Sequence, residues 1–596
     1  MLDRTDDVSI TAENWLAQFE SALASPGDDL LKTLFHPDSY WRDVLALSWN
    51  LQTLNGAGAI LKELPVLGRS AAPCHFRIDP DRAAPRRVTL AGIETIEAIF
   101  KFETNQGRGS GILRLIPDSG DGNKLKAWTL LTALDELKGF EEPLGSARPR
   151  GQSYSRDFRG PNWLDLRKQA AAYADRDPAV LVVGGGQAGL SIAARCKQLQ
   201  IDTLIVDRGL RIGDNWRKRY HALTLHNQVQ VNHLPYMPFP PNWPVYIPKD
   251  KLANWFEAYV EAMELNYWTA TTFESGAYDE AEQRWSVVLR RADGSQRTMH
   301  PQHVVMATGV SGIPNLPDMP TLKNFAGTVL HSSQYTDGEE WRGRRALVIG
   351  TGNSGHDIAQ DLYSSGAKVT LVQRSPTLIT NIEPSAQLAY ATYNEGTLED
   401  NDLIATSMPL TLAKRSHVMI TEQSKKFDQE LLDGLARVGF KLDFGDGGTG
   451  WQFKYLTRGG GYYFNVGCSD LVVRGEIGLK AFSDIESFVA EGVRMRGGET
   501  LAADLIVLAT GYKPQEHLVR KLFGEEIAGR VGPIWGFGEG QELRNMYTRT
   551  GQPGLWFIAG SLAQCRINSK YLALQLKAIE EGLLPRGARV PLHRSS

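Results

Sequence analysis

Two segments of the chain repeat one glycine spacing, and this repeat constrains the fold more than any other feature. The segments read AVLVVGGGQAGLSIAARCKQL and RRALVIGTGNSGHDIAQDL; in each, a short valine-rich run precedes the glycines and small residues at helical spacing follow them. The order predicts a strand, a tight turn and a helix whose N-terminal N–H groups face a pyrophosphate. The glycines concerned are Gly184, Gly186 and Gly189 in the first segment and Gly350, Gly352 and Gly355 in the second.

Sequence context separates these two turns from a chance match. Glycine makes up 59 of the 596 residues, so three glycines at this spacing arise by chance roughly 0.6 times in such a chain. A third match occurs at Gly445, Gly447 and Gly450, but the aromatic segment WQFKYL follows it instead of small residues. We therefore predict a loop there and dinucleotide-binding turns at the other two sites.

The residue that ends the second strand of each unit predicts which dinucleotide binds. The strand DTLIVD ends at Asp207, whose carboxylate can accept hydrogen bonds from a ribose 2′-hydroxyl and disfavours a 2′-phosphate. The strand KVTLVQR ends at Arg374, whose guanidinium can bind a 2′-phosphate bidentately. The second site should therefore prefer NADPH over NADH; the alternative for Arg374 is an exposed cation at a strand end.

Two Ala-Thr-Gly turns, at 307–309 and 509–511, each close a strand rich in valine and isoleucine. We interpret both as points where the chain crosses between domains. The predicted fold class is α/β, with two dinucleotide-binding (Rossmann-like) domains, the second inserted in the first, preceded by an α+β domain. The predicted divisions are an α+β domain 1–145, a linker 146–175, the two parts of the first dinucleotide domain at 176–335 and 481–596, and the second dinucleotide domain at 336–480.

The first part of the chain has a pattern of its own, with helical segments followed by strand-like segments. This order, with WLAQFESAL and LFHPDSYWRDV at its start, resembles the cone-shaped SnoaL-like domains over residues ~10–140. Such cones often enclose a small pocket, although a polar and aromatic cluster at this position more often caps helices or pairs at the surface. The residues that could line a pocket are His36, Asp38, Trp41, Arg42 and Asp43.

Composition and targeting signals exclude several classes of protein. A net charge of −3 gives no electrostatic footprint for nucleic acid or an anionic membrane. The four cysteines form no C-x-x-C pair, which argues against a disulfide framework, a zinc ribbon or a redox dithiol. The acidic N-terminus lacks a signal-peptide pattern, and no apolar run approaches the ~20 residues of a membrane span. We expect a cytoplasmic protein without a metal site.

The stretch FAGTVLHSSQY lies between the two glycine turns and carries almost no catalytic chemistry of its own. Together with both turns and with the segments GDNWRKRYHALTLHN, LPYMPFPPNWPVYIPK and PGLWFIAG, it resembles the flavin-containing (class B) monooxygenases over residues 176–590. The ketone-inserting Baeyer–Villiger members of that family usually carry tryptophan at the last position of this stretch, where the present chain has tyrosine. The fingerprint residues here are Phe325, Gly327, His331 and Tyr335.

The resemblance implies cofactors and residues that hold them. FAD belongs in the first dinucleotide domain and NADPH in the second, with the fingerprint segment between them. For FAD, it implies Gly184, Gly186 and Gly189 at the pyrophosphate, Asp207 at the ribose, and Asn215 and Trp216 beside the flavin. For NADPH, it implies Gly350, Gly352, Asn353, Ser354, Gly355 and Arg374.

One asparagine is the candidate catalytic residue. Asn232 falls where the heteroatom-oxygenating members place an asparagine near the flavin, and its amide could donate to a peroxide oxygen. Asn227 is a rival, and an asparagine in a proline-rich loop is often a turn former. His331 is expected to fix the linker backbone rather than transfer protons. Near the start of the last predicted helix, Asn568 and Ser569 are expected as helix caps, with flavin contact as the alternative.

The resemblance also implies a reaction. Hydride passes from NADPH to FAD, and the reduced flavin captures O2 as a C4a-(hydro)peroxide that inserts one oxygen atom into a small organic substrate. Tyr335 argues against the Baeyer–Villiger type and for N- or S-oxygenation. The segment HSSQYTDGEEWRGRRALVIGTGNSGHDIA resembles the plant auxin-forming type, which implies oxidative decarboxylation of an indole-3-pyruvate-like 2-oxo acid. The alternatives are Baeyer–Villiger oxidation of a ketone and an NADPH oxidase that releases hydrogen peroxide. The expected partners are that substrate and O2, with neither nucleic acid nor membrane, and a homodimer is left open.

Overall fold

The computed structural model describes residues 4–24, 29–149, 158–538 and 540–587. Within these ranges, no helix is both long enough and apolar enough to cross a membrane. The central part of the predicted linker, 150–157, lies outside the described residues. Its second half contains a helix, α4, which begins with a reciprocal cap between Asn162 and Asp165.

The N-terminal domain is α+β, as the sequence predicts. Seven strands form one sheet in the order β2-β1-β7-β6-β5-β3, with β4 paired to β5, and two long helices pack against it. Its similarity to SnoaL-like domains stays a prediction. The elements are α1 (Arg4–Ala24), α2 (Leu30–Leu34), β1 (Phe35–Val44), β2 (Leu51–Asn55), α3 (Ala57–Ala71), β3 (Cys74–Ile78), β4 (Arg86–Leu90), β5 (Ile93–Glu103), β6 (Gly107–Asp118) and β7 (Lys124–Leu137).

The next segment builds most of a parallel sheet and an antiparallel three-stranded sheet, β13-β14-β15. Valine and isoleucine dominate its buried central strands, as expected for strands covered on both faces. Its elements are α4 (Trp163–Ala172), β8 (Val180–Val183), α5 (Gln187–Gln198), β9 (Thr203–Val206), α6 (Asp214–Arg217), β10 (Thr224–Gln228), β11 (Tyr246–Pro248), α7 (Lys249–Ala262), β12 (Asn266–Trp268), β13 (Thr272–Asp279), β14 (Arg284–Arg290), β15 (Gln296–Met299) and β16 (His303–Met306).

The third segment repeats this plan with a second parallel sheet and a second antiparallel one, β23-β24-β25. It also contains four consecutive helices without an intervening strand. Its elements are β17 (Thr328–His331), β18 (Arg345–Ile349), α8 (Asn353–Ser364), β19 (Lys368–Gln373), β20 (Leu378–Asn381), α9 (Leu398–Thr406), α10 (Leu410–Phe427), α11 (Gln429–Arg437), α12 (Gly450–Arg458), β21 (Tyr462–Asn465), α13 (Cys468–Val473), β22 (Gly478–Ala481), β23 (Ile485–Val489), β24 (Gly492–Met495), β25 (Thr500–Ala502) and β26 (Leu505–Leu508).

The last segment returns to the first parallel sheet through β27, which pairs with β16. The two parallel sheets have the orders β12-β9-β8-β16-β27 and β17-β26-β18-β19-β22. A glycine turn follows the central strand of each sheet, which is where open α/β sheets bind ligands. The remaining elements are α14 (Glu516–Phe523), α15 (Glu525–Val531), β27 (Leu555–Phe557) and α16 (Leu562–Glu580).

The sheets correct two of the predicted divisions. The second parallel sheet takes in strands from 328 to 508, whereas the predicted second domain covers 336–480. The difference arises because β17, inside the fingerprint, pairs with β26. The chain passes between the sheets at the two Ala-Thr-Gly turns instead, where Asn315 N donates to Gly511 O at 2.9 Å and Thr510 Oγ1 donates to Asn315 O at 2.6 Å.

Two local predictions differ from the structure. The glycines at 445–450 form a turn without a preceding strand, and the helix α12 follows it, although the aromatic segment WQFKYL gave no signal for the start of a helix. The cap of α16 is Ser561, which shares a reciprocal cap with Gln564. Asn568 and Ser569 lie further along that helix and donate to carbonyls within it, so they are not its caps.

Candidate functional site

The first glycine turn lies tightly against the first crossing turn. Gly184 has φ of +105°, and a Cβ built on it would lie 2.7 Å from Ala307 O. A Cβ built on Gly189 would lie 2.0 Å from Gly184 O. Both distances are below any normal contact, so neither position accepts a side chain while the turn keeps this shape.

Gly185 is a sterically restricted position that the sequence pattern did not identify. It occupies a variable place in the glycine spacing, yet a Cβ on it would lie 1.8 Å from the hydroxyl oxygen of Tyr267. Tyr267 comes from β12, two strands away in the same sheet. Because this contact is purely tertiary, the run of three adjacent glycines was its only signal in the sequence.

Asp207 holds the first turn through both carboxylate oxygens. It follows β9 directly, Oδ2 accepts from Gly185 N at 2.7 Å, and Oδ1 accepts from Gly209 N at 2.6 Å. Each oxygen keeps a lone pair that a ribose hydroxyl could use. The carboxylate therefore has a structural role in addition to the ligand role that its position predicts.

The second glycine turn has the same construction. A Cβ built on Gly350 would lie 2.3 Å from Ala509 O, and one on Gly355 would lie 2.1 Å from Gly350 O. The middle glycine is different, because a Cβ on Gly352 would meet nothing closer than Tyr462 O at 3.7 Å. This opening leaves room for a ligand to approach the backbone.

Two predicted polar residues of the second turn have distinct environments. Asn353 Oδ1 accepts from Phe464 N at 3.1 Å, which ties α8 to β21. Arg374 is exposed, and among the described residues its guanidinium makes only a long contact, from Nε to Ser375 Oγ at 3.4 Å. Its side chain is therefore accessible to an anion.

A groove of about 980 Å³ joins the first turn to the crossing segments and to the edge of the second turn. Four cationic side chains, Arg208, Lys218, Arg219 and Lys521, also line it, and sequence reasoning did not single them out. The predicted residues that line it are Gly184, Gly186, Asp207, Asn215, Trp216, Tyr335 and Ser354. Those outside its lining are Gly189, Asn232, Phe325, Gly327, His331, Gly350, Gly352, Asn353, Gly355 and Arg374.

Both helix N-termini fit a pyrophosphate. The N-caps of α5 and α8 are Gly186 and Gly352, and neither helix has a side-chain cap. The first N–H groups of each helix therefore stay available to an anion, in contrast to α4 and α16, whose first turns are capped by side chains. The residues present at both turns fit dinucleotides, with the cations of the groove adding attraction for phosphate.

The fingerprint residues hold the second sheet and the crossing segments. Phe325 packs in the core beneath the antiparallel strands, and a Cβ on Gly327 would lie 2.5 Å from its ring. Tyr335 is buried and its hydroxyl donates to Asp361 Oδ2 at 2.6 Å, while burial raises its pKa. These contacts fit a role in packing the fingerprint against α8 and the second sheet.

His331 links the fingerprint to the second crossing turn. Its Nε2 lies 3.1 Å from Gly511 O and its Nδ1 accepts from Ser333 N at 3.1 Å, an arrangement that requires the proton on Nε2. Burial lowers its pKa, so the ring is neutral at pH 7. These contacts fit the predicted positioning role.

Asn232 is almost fully buried, and its amide oxygen has no partner among the described residues. Its Nδ2 donates to Asn227 O at 2.9 Å, which leaves a second N–H on that nitrogen. The Asn227 side chain in turn interacts with the hydroxyl of Tyr390, opposing in part the rise in pKa that burial gives this tyrosine. The two rival asparagines are therefore parts of one polar chain.

Tyr390 belongs to a cluster of aromatic rings next to the second glycine turn. The rings of Tyr390 and Trp451 are 5.8 Å apart, and Trp451 meets Phe464 edge to face at 4.8 Å. Tyr462, whose carbonyl faces Gly352, lies 5.1 Å from Phe464. The hydrogen-bonded chain from Asn232 through Asn227 therefore ends at Tyr390, in this aromatic cluster.

The predicted N-terminal cluster is divided between structural roles. Asp43 accepts from the backbone and side chain of Ser48 and from Thr132, and burial raises its pKa to about 6. Trp41 donates to the same Thr132, while Arg42 forms an ion pair with Glu542. His36 and Asp38 form a local turn contact near the surface.

The described residues contain no group of three or more His, Cys, Asp or Glu side chains arranged to hold a metal ion. All four cysteines, Cys74, Cys196, Cys468 and Cys565, are free. No two of them stand in a C-x-x-C motif, so the chain has no local dithiol of the kind that passes electrons to a disulfide substrate.

Comparison with known proteins identifies the family. The pyridine nucleotide-disulphide oxidoreductase family matches residues 181–430. The indole-3-pyruvate monooxygenase YUCCA1 of Oryza sativa subsp. japonica is 30% identical over 338 residues, which cover 56% of this chain and 77% of that protein. The chain belongs to the class B flavin monooxygenases. It is an oxidoreductase, and the family predicted from the sequence is confirmed.

Further relatives agree with this assignment. The probable indole-3-pyruvate monooxygenase YUCCA10 of Arabidopsis thaliana is 28% identical over 341 residues, covering 56% of this flavin monooxygenase and 82% of the relative. A crystal structure of a cyclohexanone monooxygenase mutant from Rhodococcus sp. Phi1 bound to NADP+ has a TM-score of 0.50 at 16% identity, covering 68% of this chain and 87% of that one. The structural match shows a shared fold.

Proposed function

We propose that this flavin monooxygenase binds FAD at the first glycine turn and NADPH at the second, and oxidatively decarboxylates an indole-3-pyruvate-like 2-oxo acid. The proposed substrate class is supported by the 30% identity to the rice indole-3-pyruvate monooxygenase over 77% of that enzyme. The two uncapped helix N-termini carry the cofactor sites.

Each cofactor site is proposed from residues with a visible geometric role. FAD would lie in the groove, with its pyrophosphate at Gly184 and Gly186 and its ribose at Asp207, while Asn215 and Trp216 line the flavin side. NADPH would lie at the open backbone of Gly352, with its 2′-phosphate at Arg374. When bound, the flavin supplies the redox chemistry, namely acceptance of hydride and activation of O2.

The chain's own residues would position the reactants and exclude water. Asn232 is buried and offers one N–H and one carbonyl oxygen that no described residue uses. An amide in this state can hold an oxygen-bearing group in place by hydrogen bonding without taking its proton. The aromatic cluster that begins at Tyr390 supplies flat apolar surface of the kind that an indole ring stacks on.

The reaction balances with the reactants named. One 2-oxo acid, one O2, one NADPH and one proton give the carboxylic acid shortened by one carbon, with CO2, NADP+ and water. The bond between the keto carbon and the carboxylate breaks, and one oxygen atom of O2 joins the keto carbon. NADPH supplies the two electrons that reduce the other oxygen atom to water.

Oxygen labelling tests this proposal directly. The purified yellow protein is supplied with NADPH, ¹⁸O2 and, in separate reactions, indole-3-pyruvate, a tertiary amine, a sulfide and a cyclic ketone. We expect one ¹⁸O atom per molecule of indole-3-acetate, with CO2 released in equal amount. Labelled N-oxide or sulfoxide instead would replace the substrate class but keep the enzyme class, whereas hydrogen peroxide equal to the NADPH consumed, with no labelled product, would show an oxidase.

Three expectations rest on the sequence and are proposed as such. They are the cytoplasmic location, the insertion of the second dinucleotide domain into the first, and the SnoaL-like character of the N-terminal domain. A homodimer remains open, and light scattering of the purified chain would decide it.

A further inference from the structure

Arg566 donates hydrogen bonds to the backbone on both sides of Asn232. It lies in the second turn of α16 and is 3% exposed. Its Nη1 donates to Val231 O at 2.8 Å and to His233 O at 2.8 Å. These two carbonyls flank Asn232, so the guanidinium fixes the backbone that presents the asparagine side chain.

Asp402 orients that guanidinium from the opposite side. Arg566 Nε donates to Asp402 Oδ2 at 2.8 Å, and Arg566 Nη2 donates to Asp402 Oδ1 at 2.7 Å. The hydroxyl of Tyr393 also donates to Asp402 Oδ1 at 2.8 Å. A paired carboxylate in this geometry leaves the guanidinium almost no freedom to rotate.

Asp402 lies in the middle of α9, and the N-terminal domain holds this helix at both ends. In its first turn, Asp400 accepts from Arg82 Nη1 at 3.0 Å and from Ala83 N at 3.3 Å. At its last residue, the carbonyl of Thr406 accepts from Arg42 Nη1. The anchors at both ends of α9 therefore come from a domain that carries no part of either glycine turn.

Arg42 is itself fixed by a second contact. Its Nε and Nη2 donate to the two carboxylate oxygens of Glu542 at 2.8 and 2.7 Å, and Thr53 also lies 3.3 Å from this carboxylate. Both side chains of the ion pair are mostly buried, which strengthens the interaction relative to a surface pair.

We propose that Arg566 is a positioning residue for Asn232, and that the N-terminal domain takes part in oxygen transfer by holding α9 and its Asp402 in place. The inference rests on the role proposed above for Asn232. It assigns to the N-terminal domain a function in the reaction rather than one in binding a separate ligand.

The test uses full-length holoenzyme and needs no knowledge of the substrate. The measured quantity is hydrogen peroxide released with NADPH and air alone, because a displaced Asn232 would let oxygen leave as peroxide. The variants are Asn232→Ala, Arg566→Lys, their combination, and Arg82→Ala. A lysine cannot pair with a carboxylate bidentately and still hold both carbonyls. The visible flavin spectrum and the melting temperature are recorded for each.

Arg114→Lys is the matched control. Arg114 is also buried, and its Nε and Nη2 both engage the Glu97 carboxylate, at 2.9 and 2.8 Å, but its contacts lie within the N-terminal sheet. We expect it to lower the melting temperature as much as Arg566→Lys does, with no change in peroxide release. The comparison separates loss of a buried ion pair from loss of a positioned asparagine.

We expect Asn232→Ala and Arg566→Lys to raise peroxide release by roughly fivefold each, and the double variant to add nothing further, since both act on one group. Arg82→Ala should raise it by roughly twofold. If Asn232→Ala changes peroxide release and Arg566→Lys does not, this inference fails and the proposed role of Asn232 stands. If Asn232→Ala has no effect, the role of Asn232 itself is wrong.

Two further results would bear on the role of Arg566. Equal and independent increases in the double variant would show that Arg566 acts elsewhere and would overturn the inference. If Arg566→Lys does not fold, Asp402→Asn replaces it, because this change keeps the size of the side chain and removes both the charge and one of the two acceptor oxygens that orient Arg566. An unchanged peroxide release in Asp402→Asn would then reject the proposal.

Discussion

The two glycine turns share a backbone design and differ in what surrounds it. In each turn, a Cβ built on the first glycine would lie close to the alanine carbonyl oxygen of an Ala-Thr-Gly turn, at 2.7 Å in the first turn and 2.3 Å in the second. A Cβ built on the last glycine would lie close to the carbonyl oxygen of the first glycine, at 2.0 Å and 2.1 Å respectively. In the first turn, the neighbouring side chains Tyr267 and Asp207 contact the backbone. In the second, Gly352 is open and Arg374 is exposed.

The same turn scaffold can therefore hold two kinds of ligand. A turn enclosed by its own side chains suits a cofactor that stays bound, whereas an open turn with an exposed cation suits one that exchanges at every cycle. We propose that the shared backbone geometry binds pyrophosphate in both turns, and that the surroundings decide how long each cofactor stays bound and which cofactor is selected.

The largest expected effect separates the two turns by the same substitution. In Gly189→Ala and in Gly355→Ala, the new Cβ meets a backbone carbonyl that cannot move without opening the turn. Overpacking of this severity costs about 3 kcal/mol, or roughly a hundredfold in affinity. We expect Gly189→Ala to lose FAD during gel filtration, and Gly355→Ala to stay yellow but to bind NADPH weakly in a titration.

Gly497→Ala is the control, because its built Cβ has nothing within 4 Å. Loss of FAD from Gly355→Ala, or retention of both cofactors in Gly189→Ala, would contradict the division of cofactors between the turns.

The next effect concerns selectivity in the second turn. Arg374→Ala removes the charge proposed to bind the 2′-phosphate, and a charge-assisted contact is worth about 2 kcal/mol. We expect kcat/KM for NADPH to fall roughly thirtyfold while that for NADH stays unchanged. Arg474→Ala removes another exposed arginine, which pairs with Glu476, and should change neither. An unaltered NADPH preference in Arg374→Ala would withdraw this residue as a 2′-phosphate ligand.

A smaller effect is expected at the corresponding acid of the first turn. Asp207→Asn turns one acceptor into a donor facing either Gly185 N or Gly209 N, at a cost of about 1 kcal/mol. FAD affinity, measured by fluorescence titration of the apoprotein, should fall roughly fivefold. Asp202→Asn, which alters contacts to Tyr173 and Arg176, should leave FAD affinity unchanged. Equal losses in both variants would assign Asp207 to folding alone.

The smallest effect is expected in the fingerprint. Tyr335→Phe keeps the ring but leaves Asp361 without the hydroxyl that donates to it. We expect a loss of about 1 kcal/mol in stability, seen as a fall of roughly 2 °C in melting temperature. Cofactor affinities and the oxygenated product should stay the same. A change from acid to ester product would show that Tyr335 selects the reaction rather than holding α8.

Much of the fold followed from short-range patterns. The two strand-turn-helix units and the α+β character of the N-terminal domain could be predicted because local periodicity and glycine spacing encode them. The domain limits at 335 and 480 were wrong because the partner of β17 is β26, more than 170 residues later, and such pairing leaves no local signal.

The candidate site was predictable where a motif was present and not elsewhere. Asp207 and Arg374 follow from their position at strand ends, yet the dependence of Gly185 on Tyr267 and of Asn232 on Arg566 connects distant segments. The cap of α16 was misplaced because three polar residues near its start are equally plausible in sequence, and only Ser561 has the reciprocal bond with Gln564.

Local sequence is enough to predict the two strand-turn-helix units, the charge that distinguishes them and the flavin monooxygenase family, because these depend on residue types at fixed local spacing. Tertiary structure decided which turn is enclosed, where the chain crosses between sheets, and how the N-terminal domain reaches Asn232 through α9 and Arg566. These features could not be predicted from local sequence because burial and ion pairing depend on which distant segments come into contact. The geometry of the hydrogen bonds between those segments is set by the whole fold.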